Sequence, residues 1–268
     1  MKKVRFYASE EKPEAKEVQE KLEEVAKGMG LRLVGPNDDR CNVAMDVVVS
    51  LGGDGTFMHA VHSFPDIPVI GFNLGGLGYL ANVAPGCFEE ALDAIARGKY
   101  SVSERSMLRV DGRCDALNDV VLVRQMTGRV ALLEVKADGR VVTDYMADGL
   151  VFTTPTGSTA YSLAAGGPVL MPGSSTVVVT PLNPHALSVR PLVVSDSTKF
   201  EVTVKDRTKG NGNMVRVDVD GQCMAVKKEG DVVRITKSPR TAKAVVLDGY
   251  DPYDVLAGKL GWSGSSLR

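Results

Sequence analysis

Two rhythms of apolar residues divide the chain. Up to Gly98, short β-branched runs alternate with segments of helical spacing. Met1-Lys2-Lys3-Val4-Arg5-Phe6-Tyr7 reads as a first strand. Val18, Leu22, Val25, Ala26 and Met29 then recur at helical spacing, while Glu17, Glu20, Lys21, Glu23, Glu24 and Lys27 can face water. This predicts a helix over 13–29, stopped by Gly28 or Gly30. A strand is expected over 31–34, followed by a loop over 35–40. Val47 to Leu51 and Ile67 to Phe72 are continuous apolar runs, the pattern of parallel strands covered on both faces. Phe88, Ala91, Leu92 and Ile95 give one apolar face to a helix over 88–96, which Gly98 ends.

After Lys99 the rhythm becomes that of short strands separated by glycines and polar turns. Strands are expected over 101–110, 120–124, 129–136, 141–145, 175–180, 192–194, 200–204, 214–219 and 232–236, with one short helix over 160–165. Near the end, Tyr253, Leu256 and Leu260 mark a short helix, with Trp262 expected as an apolar anchor. The pattern is that of an α/β chain in which a parallel-sheet domain precedes a β-rich one.

Composition narrows the function classes. The 32 Lys plus Arg against 33 Asp plus Glu leave a formal charge of -1 and no basic arm, which disfavours nucleic acid as the main partner. No run approaches the roughly 18 apolar residues of a membrane span, and the start is too short in apolar length for a signal peptide. No membrane partner and a cytoplasmic location are therefore expected. Cys41, Cys87, Cys114 and Cys223 are scattered without CxxC spacing and read as reduced, separately buried thiols. His59 and His62 have no cysteine near them, so no metal-ligating residue is assigned.

The chemistry gathers at the ends of the apolar runs. Val47-Val48-Val49-Ser50-Leu51 breaks into Gly52-Gly53-Asp54-Gly55-Thr56, a corner that can present backbone N–H groups to phosphate. Asp54 either takes part in chemistry, by holding a cation or accepting a hydroxyl proton, or caps the helix that starts near Thr56. The corner is neither a GxGxxG fingerprint nor a Walker A loop, since no Gly-Lys-Ser/Thr follows. A second glycine-rich loop, Asn73-Leu74-Gly75-Gly76-Leu77-Gly78-Tyr79-Leu80, follows the next strand, and loops at neighbouring carboxyl ends share a crevice. Asn118-Asp119 precedes another strand, where turn formation and ribose or metal contact are equally open. In Asp148-Gly149-Leu150-Val151-Phe152-Thr153-Thr154-Pro155-Thr156-Gly157-Ser158-Thr159-Ala160-Tyr161 a strand runs into hydroxyls, a glycine and an aromatic ring, which favours small-ligand recognition. No GxSxG elbow is present, and no Ser-His-Asp arrangement stands out.

Taken together, these motifs resemble the NAD kinase family over nearly the whole chain and in family order. They are Gly52-Gly53-Asp54-Gly55-Thr56, Gly71-Phe72-Asn73, Leu77-Gly78-Tyr79-Leu80, Leu117-Asn118-Asp119, Asp148-Gly149-Leu150 and Thr154 through Tyr161. Gly166-Gly167-Pro168, Arg190-Pro191-Leu192, Tyr253-Asp254-Val255-Leu256 and Lys259-Leu260-Gly261-Trp262 complete the match. The resemblance implies a Rossmann-like phosphate-donor domain over 1–98, a β-rich NAD-binding domain over 99–244, and a C-terminal segment over 245–268 returning to the first domain. It implies that ATP, or polyphosphate, donates a phosphoryl group to the adenosine-ribose 2′-hydroxyl of NAD, with magnesium or another divalent cation. NAD would lie between the domains or across a subunit boundary of a homodimer or homotetramer. Asp54 would activate the hydroxyl while Gly52, Gly53, Gly55 and Thr56 hold phosphate, with Asn73 and Tyr79 nearby. Asn118 and Asp119 would meet the adenosine end, Thr156, Thr159, Ala160 and Tyr161 would line the dinucleotide site, and Asp148 would approach nicotinamide. Two departures stand out: Asp119 replaces the family's usual glutamate, and Tyr79 stands where phenylalanine is frequent. A lipid or sugar kinase with a related glycine-rich site, and a catalytically silent NAD-binding regulator, are the alternatives.

Overall fold

A computed structural model describes residues 1–9, 12–35, 45–75, 78–125, 130–205 and 214–262. The expected loop over 36–40 and residues Cys41, Gly76, Leu77 and Arg129 lie outside the described residues. The chain divides into two compact units, Met1–Glu104 with Ala242–Arg268, and Arg105–Thr241.

The first unit is built on parallel strands. β1 (Lys3–Ala8), β2 (Arg32–Leu33), β3 (Val47–Gly52) and β4 (Val69–Asn73) lie in the order β2-β1-β3-β4. Every residue of β3 and β4 is buried, as expected of largely apolar strands covered on both faces, and Ser50 Oγ, inside β3, donates to Ile70 O at 3.2 Å. Helix α1 (Pro13–Gly28) presents Ala15, Leu22 and Ala26 to the core, and the helix over Asp54–Ser63, α2, presents Phe57, Ala60 and Val61. Helix α3 (Phe88–Arg97) buries Phe88, Ala91, Leu92 and Ile95, and Phe88 stacks on Phe72 at 4.6 Å between ring centroids. Thr56 does not start α2 as the sequence suggested, because the helix begins at Asp54 with Gly53 as its N-cap.

The second unit is a pair of antiparallel sheets. One has the order β12-β11-β10-β7-β14-β15, formed by Leu192–Ser195, Thr176–Leu182, Gly149–Thr153, Asp119–Arg124, Val215–Val219 and Gln222–Lys227. The other contains β13 (Phe200–Lys205), β8 (Ala131–Ala137) and β9 (Arg140–Ala147). β5 (Tyr100–Val110) and the short β6 (Cys114–Ala116) pair with each other at its margin. Phe152 from the first sheet meets Phe200 from the second edge to face at 5.1 Å, so the inward residues of both sheets form one core.

The strand β16 (Val232–Leu247) outruns its expected end by eleven residues, continuing through Pro239. Its first part pairs with β13 in the second unit. Its last part lies in the first unit, where Ala244 pairs in parallel with Val69 of β4. The chain thus returns to the first sheet, and a final helix, α5 (Pro252–Leu260), follows. Helix α5 is capped by Asp251, whose Oδ1 accepts the Tyr253 N–H at 2.8 Å, and Leu256 is its buried residue. Trp262 is 59% exposed, so it is not the apolar anchor expected of it. Cys87 and Cys223 are exposed and Cys114 is half-buried, which corrects the expectation of separately buried thiols. Among the described residues no helix is long and apolar enough to cross a membrane.

Leu122, fully buried where β7 meets the core, tests this packing. Leu122→Ala is expected to lower unfolding free energy by about 2–5 kcal/mol, read by denaturant titration.

Candidate active site

In the first unit the glycine corner closes on the second glycine-rich loop through one carboxylate. Asp54 opens α2, but it does not cap it. Its Oδ2 accepts the Tyr79 N–H at 3.0 Å, and its Oδ1 accepts those of Leu80 and Ala81, each at 2.9 Å. Three consecutive amides thus occupy most of the four or so acceptor positions of a carboxylate, leaving about one for a further donor. Asn73 secures the same loop: its Nδ2 donates to Ala81 O at 2.8 Å, and its Oδ1 accepts the Gly75 N–H at 2.8 Å. Leu74 N–H donates to Gly52 O at 2.9 Å, which ties the loop back to the corner. Gly52 and Gly53 precede the helix, and Thr56 Oγ1 accepts from Gly53 N–H at 3.4 Å. At the start of α2 the first-turn amides, including those of Asp54, Gly55 and Thr56, lack intrahelical acceptors, an arrangement that can hold an anion.

Close approach explains Gly78. A Cβ there would collide with Asp54 Oδ1 and the Ala81 carbonyl oxygen. Tyr79 lies beside this junction, and Lys259 of α5 sits over its ring, 5.4 Å from the centroid. Burial first, then the charge of Asp54, raises the pKa of the Tyr79 hydroxyl above its ordinary value.

In the second unit a second carboxylate plays the same part. Asp220 accepts the N–H groups of Leu117 at 2.8 Å, Asn118 at 2.8 Å and Asp119 at 3.2 Å. Asn118 O accepts from Thr154 N–H at 2.9 Å, and Thr154 Oγ1 donates to Leu117 O at 2.5 Å. These bonds join the Asn118-Asp119 turn to the Thr154–Tyr161 run, and Gly157 packs so closely on the Asn118 backbone that a Cβ has no room. Asn118 Oδ1 is buried with no hydrogen-bond partner among the described residues, an acceptor suited to a ligand's N–H or O–H.

The hydroxyl-rich run is partly spent on itself. Ser158 Oγ donates to Pro155 O at 2.7 Å and Thr159 Oγ1 to Thr156 O at 3.5 Å. Thr156 is buried, while Ala160 and Tyr161 face outward ahead of the short helix α4 (Tyr161–Ala164). Tyr161 and Asp148 both line a cavity of 550 Å³ in this unit. Asp148 is held there by Arg124 at 2.7 Å and by Asn183 Nδ2 at 3.0 Å.

Asp119 is only 6% exposed. Burial first, then the neighbouring carboxylates Asp220 and Asp218, raise its pKa to about 7. Among the described residues, no three or more His, Cys, Asp or Glu side chains are grouped to hold a metal ion.

Residues 1–100 match the family model of the ATP-NAD kinase N-terminal domain, and residues 117–247 match that of the ATP-NAD kinase C-terminal domain. The chain belongs to the NAD kinase family. It is 35% identical to the NAD kinase of Syntrophotalea carbinolica and 37% identical to that of Geotalea daltonii, each over 98% of this chain and 99% of the relative. An NAD kinase from Archaeoglobus fulgidus, solved in complex with ATP, superposes with a TM-score of 0.77 at 25% identity, covering 98% of this chain and 99% of that one. A yeast NADH kinase complexed with NADH shares the fold, with a TM-score of 0.85 at 23% identity, covering 99% of this chain and 89% of that one.

Sequence reasoning passed over Asp220, Arg124 and Asn183, whose roles depend on strand pairing. The Asp220-Gly221 pair was a usable signal. Both residues have positive φ, 47° and 78°, in the hairpin between β14 and β15.

Two measurements test these two junctions in the family member. In Gly78→Ala, hydrogen exchange at the amides of Tyr79, Leu80 and Ala81 should accelerate by at least about tenfold, a shift of roughly 1.4 kcal/mol in local opening, while β3 amides keep their protection. For Asp119 the folded-state pKa lies above the ordinary carboxylate value of about 3.9. Its contribution to stability is therefore complete below about pH 4 and is lost as pH rises through about 7. Denaturation of Asp119→Asn should show its stability rising relative to the parent across that window, then levelling off.

Proposed function

We infer that the chain is an NAD kinase, which transfers the terminal phosphoryl group of ATP to the adenosine-ribose 2′-hydroxyl of NAD and yields NADP and ADP. The observation that carries this reading is the Asp54 carboxylate at the head of α2, held rigidly by three amides with one acceptor position open, in a chain that matches the family along its length. The remaining position accepts the 2′-hydroxyl proton and orients that oxygen for in-line attack. The first-turn amides of α2 hold phosphate oxygens, and the negative charge of Asp54 is itself favoured at that helix end. The buried acceptor Asn118 Oδ1 suits the exocyclic amine of adenine, with Asp119 beside the ribose. Asp119 is one methylene shorter than glutamate, and a carboxyl group titrating near neutrality can donate as well as accept.

The donor groups suit a divalent cation that arrives on ATP better than one caged by protein. Asp54 has at most one acceptor position left, and magnesium commonly binds through one or two carboxylates plus substrate phosphates. When bound it would neutralise charge on the transferring phosphates. The same reading makes polyphosphate a second donor to try, the cytoplasm the compartment, and a homodimer or homotetramer the assembly.

Purified protein incubated with NAD, ATP and magnesium should form NADP, detected by mass spectrometry. Asp54→Asn should lower kcat by about 10²-fold or more, with NAD affinity changed far less. Near-parental turnover in that variant would remove Asp54 from the chemistry. NAD binding without any NADP would favour the silent regulator, and phosphate on a lipid or sugar the related kinases.

A further inference from the structure

Among the described residues that line the cavity of the second unit, Arg124 and Asp148 carry opposite charges, and they are paired. Arg124 Nε lies 2.7 Å from Asp148 Oδ1, with the two side chains 27% and 26% exposed. Asn183 Nδ2 donates to Asp148 Oδ2 at 3.0 Å, so each carboxylate oxygen has a donor. The backbone sets this arrangement: Arg124 N–H donates to Asp148 O at 2.9 Å, and Asp148 N–H donates to Leu182 O at 2.8 Å. These bonds continue the register of β7 and β11 against β10, in which Gly149 pairs with both Val123 and Leu182.

What surrounds the pair limits what can enter. Tyr161, 47% exposed, lines the 550 Å³ cavity together with Ala165, Pro184 and the carboxamides of Gln125 and Asn183. An aromatic face, small apolar groups and amide side chains suit a planar heteroaromatic ring bearing a carboxamide. Of the two bases in NAD only nicotinamide bears that substituent, and only nicotinamide changes charge with redox state. The oxidised ring is a cation and the reduced ring is neutral. A carboxylate without a counter-charge beside the ring would favour the cation, and a guanidinium without one would favour the neutral ring. A matched pair favours neither.

We propose that Arg124 is a specificity-determining residue: by neutralising Asp148 it lets this cavity accept the nicotinamide ring in both charge states, so that NADH is a substrate alongside NAD. The proposal rests on the NAD kinase reading and deepens it.

The test compares NAD with NADH on the full-length protein, by calorimetric Kd and by kcat/KM with ATP and magnesium. The parent protein should bind the two within about threefold of each other, since no net charge separates them. Arg124→Gln bares Asp148 and should shift the affinity ratio toward NAD by about tenfold. Arg124→Lys should leave the ratio near the parental value. Asp148→Asn bares Arg124 and should shift the ratio toward NADH by a similar factor. Opposite shifts from the two halves of one ion pair are a signature that loss of structure does not produce. Equal weakening of NAD and NADH in both variants would overturn the proposal, as would a parent protein that binds NAD a hundredfold tighter than NADH. Should Arg124→Gln fail to fold, the Lys and Asn variants decide the matter. The kinase reading fails separately, through absence of NADP formation, and the binding ratios remain decisive in that case.

Discussion

One carboxylate and three successive amides hold two loops of the first unit together. Asp54 belongs to the corner after β3, and Tyr79, Leu80 and Ala81 belong to the loop after β4. A charge-assisted bond to a backbone N–H is stronger than a neutral one, and three of them on one group fix its rotamer as well as its position. The acid is therefore already aimed, and in the proposed reaction little is left to organise on binding. Asn73 supplies the lateral support by bridging Ala81 and Gly75.

The second unit repeats the device with Asp220 and the amides of Leu117, Asn118 and Asp119. The environments differ in consequence. Asp220 and Asp218 surround Asp119 with negative charge while burial removes water, and together they push its titration toward neutrality. Asp218 is relieved by Arg216 at 2.9 Å, and Asp220 by its three amides. Asp119 carries what remains of the electrostatic tension, at a position where this chain has a shorter acid than its family usually has.

The legible parts of the fold were those written in local pattern. Val47–Leu51 could be read as a doubly covered strand because all its side chains but that of Ser50 are apolar, and Phe88, Leu92 and Ile95 specify their helix by spacing alone. Gln222–Lys227 escaped notice because it is half-exposed and carries no strict alternation. The strand expected over 232–236 runs on to Leu247, through Pro239, because its second part pairs in the other unit. At the site, the glycine corner and its acid stood out in the sequence because their residue types are unusual after an apolar run. The partners of that acid did not, since they are contributed 25 to 27 residues later by plain backbone. Asp220 lies about a hundred residues from the amides it holds, and Arg124 meets Asp148 only through the register of β7 on β10. Pairing across a sheet is a tertiary fact, and no local periodicity encodes it.

The long strand β16 carries a further implication, for biosynthesis. On the ribosome the parallel strands β1 to β4 precede the second unit, but Ala244, the β16 residue that pairs with β4, is added only after the whole of that unit has been made. Until then β4 lacks its partner at Val69, though Val83 already bridges it at Phe72, and Val245, part of the first unit's core, has yet to appear. The nascent chain must keep an incomplete sheet from pairing elsewhere while more than a hundred residues are added. Completion of the first sheet is thereby tied to a segment translated after the whole of the second unit, so a product terminated before Ala244 would lack the pairing at Val69.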